Sequence, residues 1–205
     1  MKKLLLTTWC LLPFGAGAYH YGPGLLRMEL DATAAAIDAA ERSARTAGEL
    51  EGDAARAEWA AAVASYDEAL DTLPIERKEE RWQLVLERAK AKLLCSKLPE
   101  ANAELGALLE ELAKEPAADP EFAADVRRAH AGSEYYMTWL LRLEGAPQEE
   151  WEPRIENARQ SYKLLAEAPD LAEAERATLA EDVESAVRLA RMDLDELQGL
   201  PLPSQ

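Results

Sequence analysis

From residue 25 onward, apolar residues recur at offsets of 4, 7, 11 and 14 almost without interruption, and no stretch alternates every second residue. Such a period lays one apolar stripe along an α-helix, whereas a half-buried strand needs a period of two. The chain can hide its apolar surface only by packing helix on helix, so an all-α fold is expected. The spacing predicts seven helices. The first covers Leu25 to Ala47, with Leu26, Leu30, Thr33, Ile37, Ala40, Ala44 and Ala47 in register, and Gly48 and Gly52 punctuate its end before Asp53, a candidate cap. The second carries Trp59, Val63, Tyr66, Leu70 and Leu73 and stops at Pro74; the third carries Trp82, Leu86, Ala89 and Leu93. The fourth opens at Pro99 and carries Ala101, Leu105, Leu108 and Leu112. Asp119-Pro120-Glu121 announces the fifth with a cap, a first-turn proline and an acid at the positive end of the helix dipole. Its stripe is Phe122, Val126, Ala129, Ser133, Tyr136, Leu140 and Leu143, ended by Gly145 and Pro147. The sixth carries Trp151, Ile155, Ala158, Tyr162 and Leu165 before Pro169. The seventh starts at Asp170, with Glu173 at the spacing of a capping box, and runs through Leu179, Val183, Ala186, Ala190, Leu194 and Leu197 to a short tail at 199–205.

In the second segment Trp59, Ala62, Tyr66, Ala69 and Pro74 fall at relative positions 0, 3, 7, 10 and 15. That pattern resembles the second helix of a tetratricopeptide repeat. Ala101, Leu105 and Leu108 share a 0, 4, 7 spacing with Ala158, Tyr162 and Leu165. The resemblance implies a right-handed array of about three antiparallel helix pairs over residues 27–198, with the seventh helix as a cap. It also implies that the alanines are close-approach points and that the aromatics fill the space between helices. The match departs from the family in its period, since Ala62, Ala101 and Ala158 are 39 and 57 residues apart where the family repeats roughly every 34. A generic antiparallel bundle, its alanines reflecting helix propensity, is the alternative.

Ahead of this body, Lys2 and Lys3 precede the apolar run Leu4 to Leu12, and Ala16-Gly17-Ala18 offers small residues for cleavage before Tyr19. That is the layout of a secretory signal. The same 1–26 segment also reads as an uncleaved anchor, because no charge occurs between Lys3 and Arg27, which leaves residues 4–26 as a possible membrane contact. Either reading places the body outside the cytoplasm, in the cell envelope or periplasm. Cys10 follows Trp9, unlike a lipidated cysteine, and after cleavage Cys95 would have no partner for an internal disulfide.

Twenty-three basic against 39 acidic residues give a net charge of −16, which repels phosphate backbones and argues against nucleic acid as a partner. The sequence contains no glycine-rich dinucleotide loop, phosphate loop or nucleophile elbow. His130 and Glu134 lie one turn apart on the fifth helix, but further metal ligands have no evident source, and the pair reads as solvated. The chain is therefore expected to be non-catalytic, to need no cofactor or metal, and to bind a protein or peptide, with self-association as the rival.

Two features are candidate contact surfaces. The third helix carries Arg81, Arg88 and Lys92 among seven cations in an otherwise acidic chain. Such a face could receive an acidic peptide in a concave groove, or could pair internally with acidic neighbours. Tyr135 and Trp139 share a second face of the fifth helix, offset from its main stripe, and are expected to be at least partly accessible. Their alternative role is core packing, if the helix is sandwiched on two sides.

Overall fold

The computed structural model describes residues 25–169 and 171–198, all helix and connecting turn, with no strand among them. The expected leader lies outside them except for its last two residues, where the first helix begins, and so does the tail at 199–205. The helices are α1 (Leu25–Gly48), α2 (Gly52–Thr72), α3 (Lys78–Leu94), α4 (Leu98–Leu112), α5 (Pro120–Leu143), α6 (Gln148–Ala166), α7 (Glu173–Arg191) and α8 (Leu194–Gln198). Seven of these follow the periodic segments. The eighth corrects the expectation of one helix through Leu197. Met192 is extended, at φ −58° and ψ 142°. Asp193 then restarts the helix: its Oδ1 accepts from the Glu196 amide at 2.8 Å, and the Glu196 carboxylate accepts from the Asp193 amide at 3.3 Å. This reciprocal pair is a capping box.

The other helix ends follow local chemistry. Asp119 caps α5, its side chain accepting from the Glu121 amide at 3.0 Å ahead of Pro120. Gly145, at φ 75°, lets α5 end with the Ala146 amide on Leu141 O at 2.9 Å and its own amide on Arg142 O at 3.1 Å. Asp53 does not cap α2, which starts one residue earlier behind Glu51. The box expected at Asp170 does not open α7 either: Asp170 lies outside the described residues, and Ala172 is the N-cap.

At the end of α3, Ser96 adopts φ 64° while the Lys97 amide donates to Lys92 O at 3.0 Å. Glycine normally occupies this left-handed position, because a Cβ there is crowded. Ser96→Gly is therefore expected to stabilise the fold by about 0.5–1 kcal/mol, read as a rise in the urea midpoint. An unchanged or lower midpoint would mean that no strain resides at this turn.

Cross-helix contacts fix the directions of packing. Thr33, early in α1, bonds Thr72 at the end of α2 at 2.9 Å, and Trp82, early in α3, donates to Glu111 near the end of α4 at 2.9 Å. Neighbours in sequence thus run antiparallel. In contrast, α5 and α7 run parallel, since Arg128 pairs with Glu175 near their starts and Arg142 donates to Leu189 O and Met192 O at the end of α7. Arginines repeatedly close helix C-termini in this way. Arg81 of α3 donates to Leu70 O and Leu73 O of the preceding helix end, at 2.8 and 3.1 Å. Arg176 of α7 does the same to Ala166 O at 2.6 Å and Ala168 O at 3.2 Å. Both follow a helix-ending proline, Pro74 or Pro169, at the same spacing of 7 residues.

The apolar interior forms a row of local cores with no single centre. Ala36, Ala40, Ala62, Tyr66, Ala69 and Leu84 join α1, α2 and α3, while Trp82, Leu86, Ala89, Leu105, Leu108 and Val126 join α3, α4 and α5. Ala131, Ala158, Tyr162 and Leu179 join α5, α6 and α7. Trp139, Ile155, Leu189 and Leu197 close the last core with α8. Ala62, Ala69, Ala101, Leu105 and Ala158 are wholly shielded from solvent, Trp59 is half-buried at the first core's edge, and Pro74 is half-buried in the turn after α2. Helix α3 feeds two cores from opposite sides, with Leu84 and Ala91 on one and Trp82, Leu86 and Ala89 on the other.

Candidate interaction groove

The cationic side chains of α3 are engaged by their own chain. Arg88 donates from Nη1 to Asp67 of α2 at 2.6 Å and from Nε to Glu104 of α4 at 2.8 Å, and Lys92 Nζ lies 2.7 Å from the other Glu104 oxygen. Arg81 is spent on the α2 carbonyls, and Lys78 reaches Glu115 at 3.3 Å. Arg77 pairs with Glu80 and Lys90 with Glu87 within one turn. Burial by itself would lower the proton affinity of Arg88, but Glu104 and Asp67 more than offset this and hold it above the ordinary arginine value. With side chains only 21% and 16% exposed, Arg88 and Lys92 make the pairs with acidic neighbours that stood as the alternative to an acidic-peptide surface. Summing charge along α3 misses the acids that flanking helices supply.

What α3 and α4 do present is a cleft of about 530 Å³, bordered at one end by Ile75 of the α2–α3 turn. Trp82, Val85 and Leu108 supply its apolar lining, and Arg81, Arg88, Glu104 and Glu111 border it with charges already paired or bonded. The Trp82 indole, held by Glu111, fixes the orientation of the largest ring. At the mouth stands Ile75, 76% exposed and the most accessible of the large hydrophobic side chains described. An apolar floor inside a rim whose charged groups already have hydrogen-bond partners suits an apolar side chain of a polypeptide.

The second expected surface divides: Trp139 is interior, whereas Tyr135 stays partly accessible. Trp139 is 6% exposed and packs with Ile155, Leu189 and Leu197. Tyr135 is half-buried, its ring 6.4 Å from that of Trp139, and borders two cores. Partial accessibility of Trp139 is thus overturned: α5 is sandwiched, and Ala131, Tyr135 and Trp139 face α6, α7 and α8. Leu140, expected in the stripe, is instead 37% exposed.

His130 and Glu134 are not solvated either. Asn102 of α4 donates to Glu134 Oε1 and to Ser133 Oγ, both at 2.9 Å, and Arg154 of α6 lies 3.3 Å from Glu134 Oε2. His130 Nε2 is 3.5 Å from Glu134 Oε1. A Cβ on Gly106 would sit 3.3 Å from the same ring nitrogen, so this glycine lets α4 approach. Burial lowers the His130 pKa below its ordinary 6.5, Arg154 and Arg127 push the same way, and Glu134 opposes them. Below that ordinary value the unfolded state binds more protons than the folded one, so stability falls as pH drops. The urea midpoint should decline between about pH 7 and pH 5, and His130→Gln should flatten the decline. An equally steep decline in the variant would assign the effect to other groups.

Burial likewise raises the pKa of the half-buried Cys95 thiol, which disfavours the nucleophilic thiolate. Among the described residues no cluster of three metal-ligating side chains occurs, and no helix is long and apolar enough to cross a membrane. Neither a family model, a curated protein nor a solved structure matches the chain.

Proposed function

We propose that this chain is a non-catalytic helical scaffold of the cell envelope, exported or tethered by residues 1–26, whose α3–α4 groove holds an apolar anchor of a partner polypeptide. The carrying observation is the groove itself: Ile75 stands exposed beside an apolar lining of Trp82, Val85 and Leu108, and the charged groups at the rim already have hydrogen-bond partners within the chain. The proposal includes a tetratricopeptide-like arrangement of the helix pairs. The small residues Ala62, Ala101 and Ala158 are fully buried, and the proline-to-arginine spacing recurs at Pro74–Arg81 and Pro169–Arg176. Repeat arrays of this kind bind along extended surfaces.

Affinity capture from detergent-solubilised envelope, using the full chain, tests the proposal. The expected result is a stoichiometric foreign polypeptide that is lost with Ile75→Asp, a surface change that should leave the fold intact. Recovery of the chain alone would favour a self-assembling structural protein, and capture unaffected by Ile75→Asp would place the contact elsewhere. For the address, a C-terminal reporter active only in the cytoplasm would overturn export.

A further inference from the structure

A second recess, of about 250 Å³, opens between α5, α6 and α7, lined by Gly132, Tyr135, Tyr136, Tyr162, Asp182 and Ser185. We propose that it binds an alkylated ammonium group, with the three tyrosine rings as walls and Asp182 as counter-ion. Two walls are already set at right angles, for the Tyr135 and Tyr136 rings are 5.7 Å apart with an 82° interplanar angle. Tyr162, buried on α6, supplies the third, and Gly132 keeps side-chain bulk away from its hydroxyl. Aromatic faces attract a cation by their quadrupoles, most strongly when water is excluded. The chain already makes one such contact elsewhere, Arg142 standing 4.7 Å above the Trp151 ring. No cation of the described residues is stacked in that way on Tyr135, Tyr136 or Tyr162.

Charge selects the same class of ligand. Asp182 is partly buried and makes no hydrogen bond or ion pair among the described residues. Burial pushes its carboxyl above the ordinary range, Glu181 adds to this, and Arg128 opposes it. Of the neighbouring cations, Arg188 pairs with Glu184, and Arg128 pairs with Glu175 through Nη2 while its buried Nε meets no acceptor among the described residues. A ligand cation would add to the partial compensation that Arg128 gives Asp182, which makes no ion pair of its own among the described residues. The recess is smaller than the roughly 300 to 1,000 Å³ of drug-sized pockets, which fits a head group. A recess walled mainly by rings offers an alkylated ammonium both apolar contact for its alkyl groups and cation–π attraction for its charge.

Calorimetric titration of the full chain with choline tests this, with 3,3-dimethylbutanol as the uncharged isostere. Saturable binding of choline is expected, at least about tenfold tighter than that of the isostere. Asp182→Asn and Tyr136→Leu should each weaken choline by a similar factor, while Tyr136→Phe should retain it, with circular dichroism melts confirming that each variant folds. Absence of choline binding to the wild-type chain, equal binding of the isostere, or indifference to Asp182→Asn would overturn the proposal. Phosphatidylcholine vesicles separate two sources of the group: co-sedimentation that choline competes away identifies a lipid head group, and choline binding without co-sedimentation identifies a free small ligand. Either result supports the site.

Discussion

Trp139→Ala is expected to lower the unfolding free energy by about 3–5 kcal/mol. The indole sits in the core that joins α5, α6, α7 and α8, so its loss opens a cavity bounded by four helices that cannot all move inward together. One detail distinguishes packing from hydrogen bonding here. The indole Nε1 meets no acceptor among the described residues, so it contributes a buried, unpaired donor. Trp139→Phe gives up part of the ring but removes that donor, and should fall within about 1 kcal/mol of wild type. A loss of under about 0.5 kcal/mol in the alanine variant would mean that Trp139 is a surface residue after all.

Tyr66→Ala should cost about 3–4 kcal/mol, at the opposite end of the array. Tyr66 is buried among α1, α2 and α3, and its hydroxyl pKa is raised by burial, by Glu87 of α3 and by Glu41 of α1, so the ring lies where three helices meet. The separate cores also predict where the damage appears. In a row of local cores, interactions are with neighbours only, and stability is close to a sum of local terms. Hydrogen exchange in Tyr66→Ala should quicken most in α1–α3 and least in α6–α7. Uniform acceleration across all helices would show one cooperative core instead.

The stripes of α1 and α2 were legible because those helices bury mainly one face: Thr33, Ala40 and Ala47 are buried at the expected spacing, as are Val63, Tyr66 and Leu70. Helices α3 and α5 mislead for the opposite reason. Each is covered on two sides, and a single-stripe reading captures Trp82, Leu86 and Ala89 but not Leu84 and Ala91. On α5 it detects the second face at Tyr135 and Trp139 but takes apolar surplus for exposure. The Asp193–Glu196 box was visible in the sequence, yet Leu194 and Leu197 keep the period of α7 and disguise the break. The network of Asn102, Glu134 and Arg154 left no such trace. Its members are separated by 32 and 20 residues, and nothing periodic links polar side chains that meet only after three helices have packed. The apolar lining of the α3–α4 groove left no trace for a related reason. The groove is made by the absence of bulk between α3 and α4, and the partners of Arg88 and of the Trp82 indole, Glu104 and Glu111, come from another helix.

The most direct measurement of the scaffold proposal is site-specific photo-crosslinking in intact envelope, with the crosslinker placed at Ile75 and, as control, at Leu164, another exposed apolar position but outside the groove. The groove reading predicts an adduct with a foreign polypeptide from Ile75 that is abolished by Val85→Glu, and none from Leu164. Equal adducts from both positions, an Ile75 adduct with a second copy of this chain only, or no Ile75 adduct at all would contradict it.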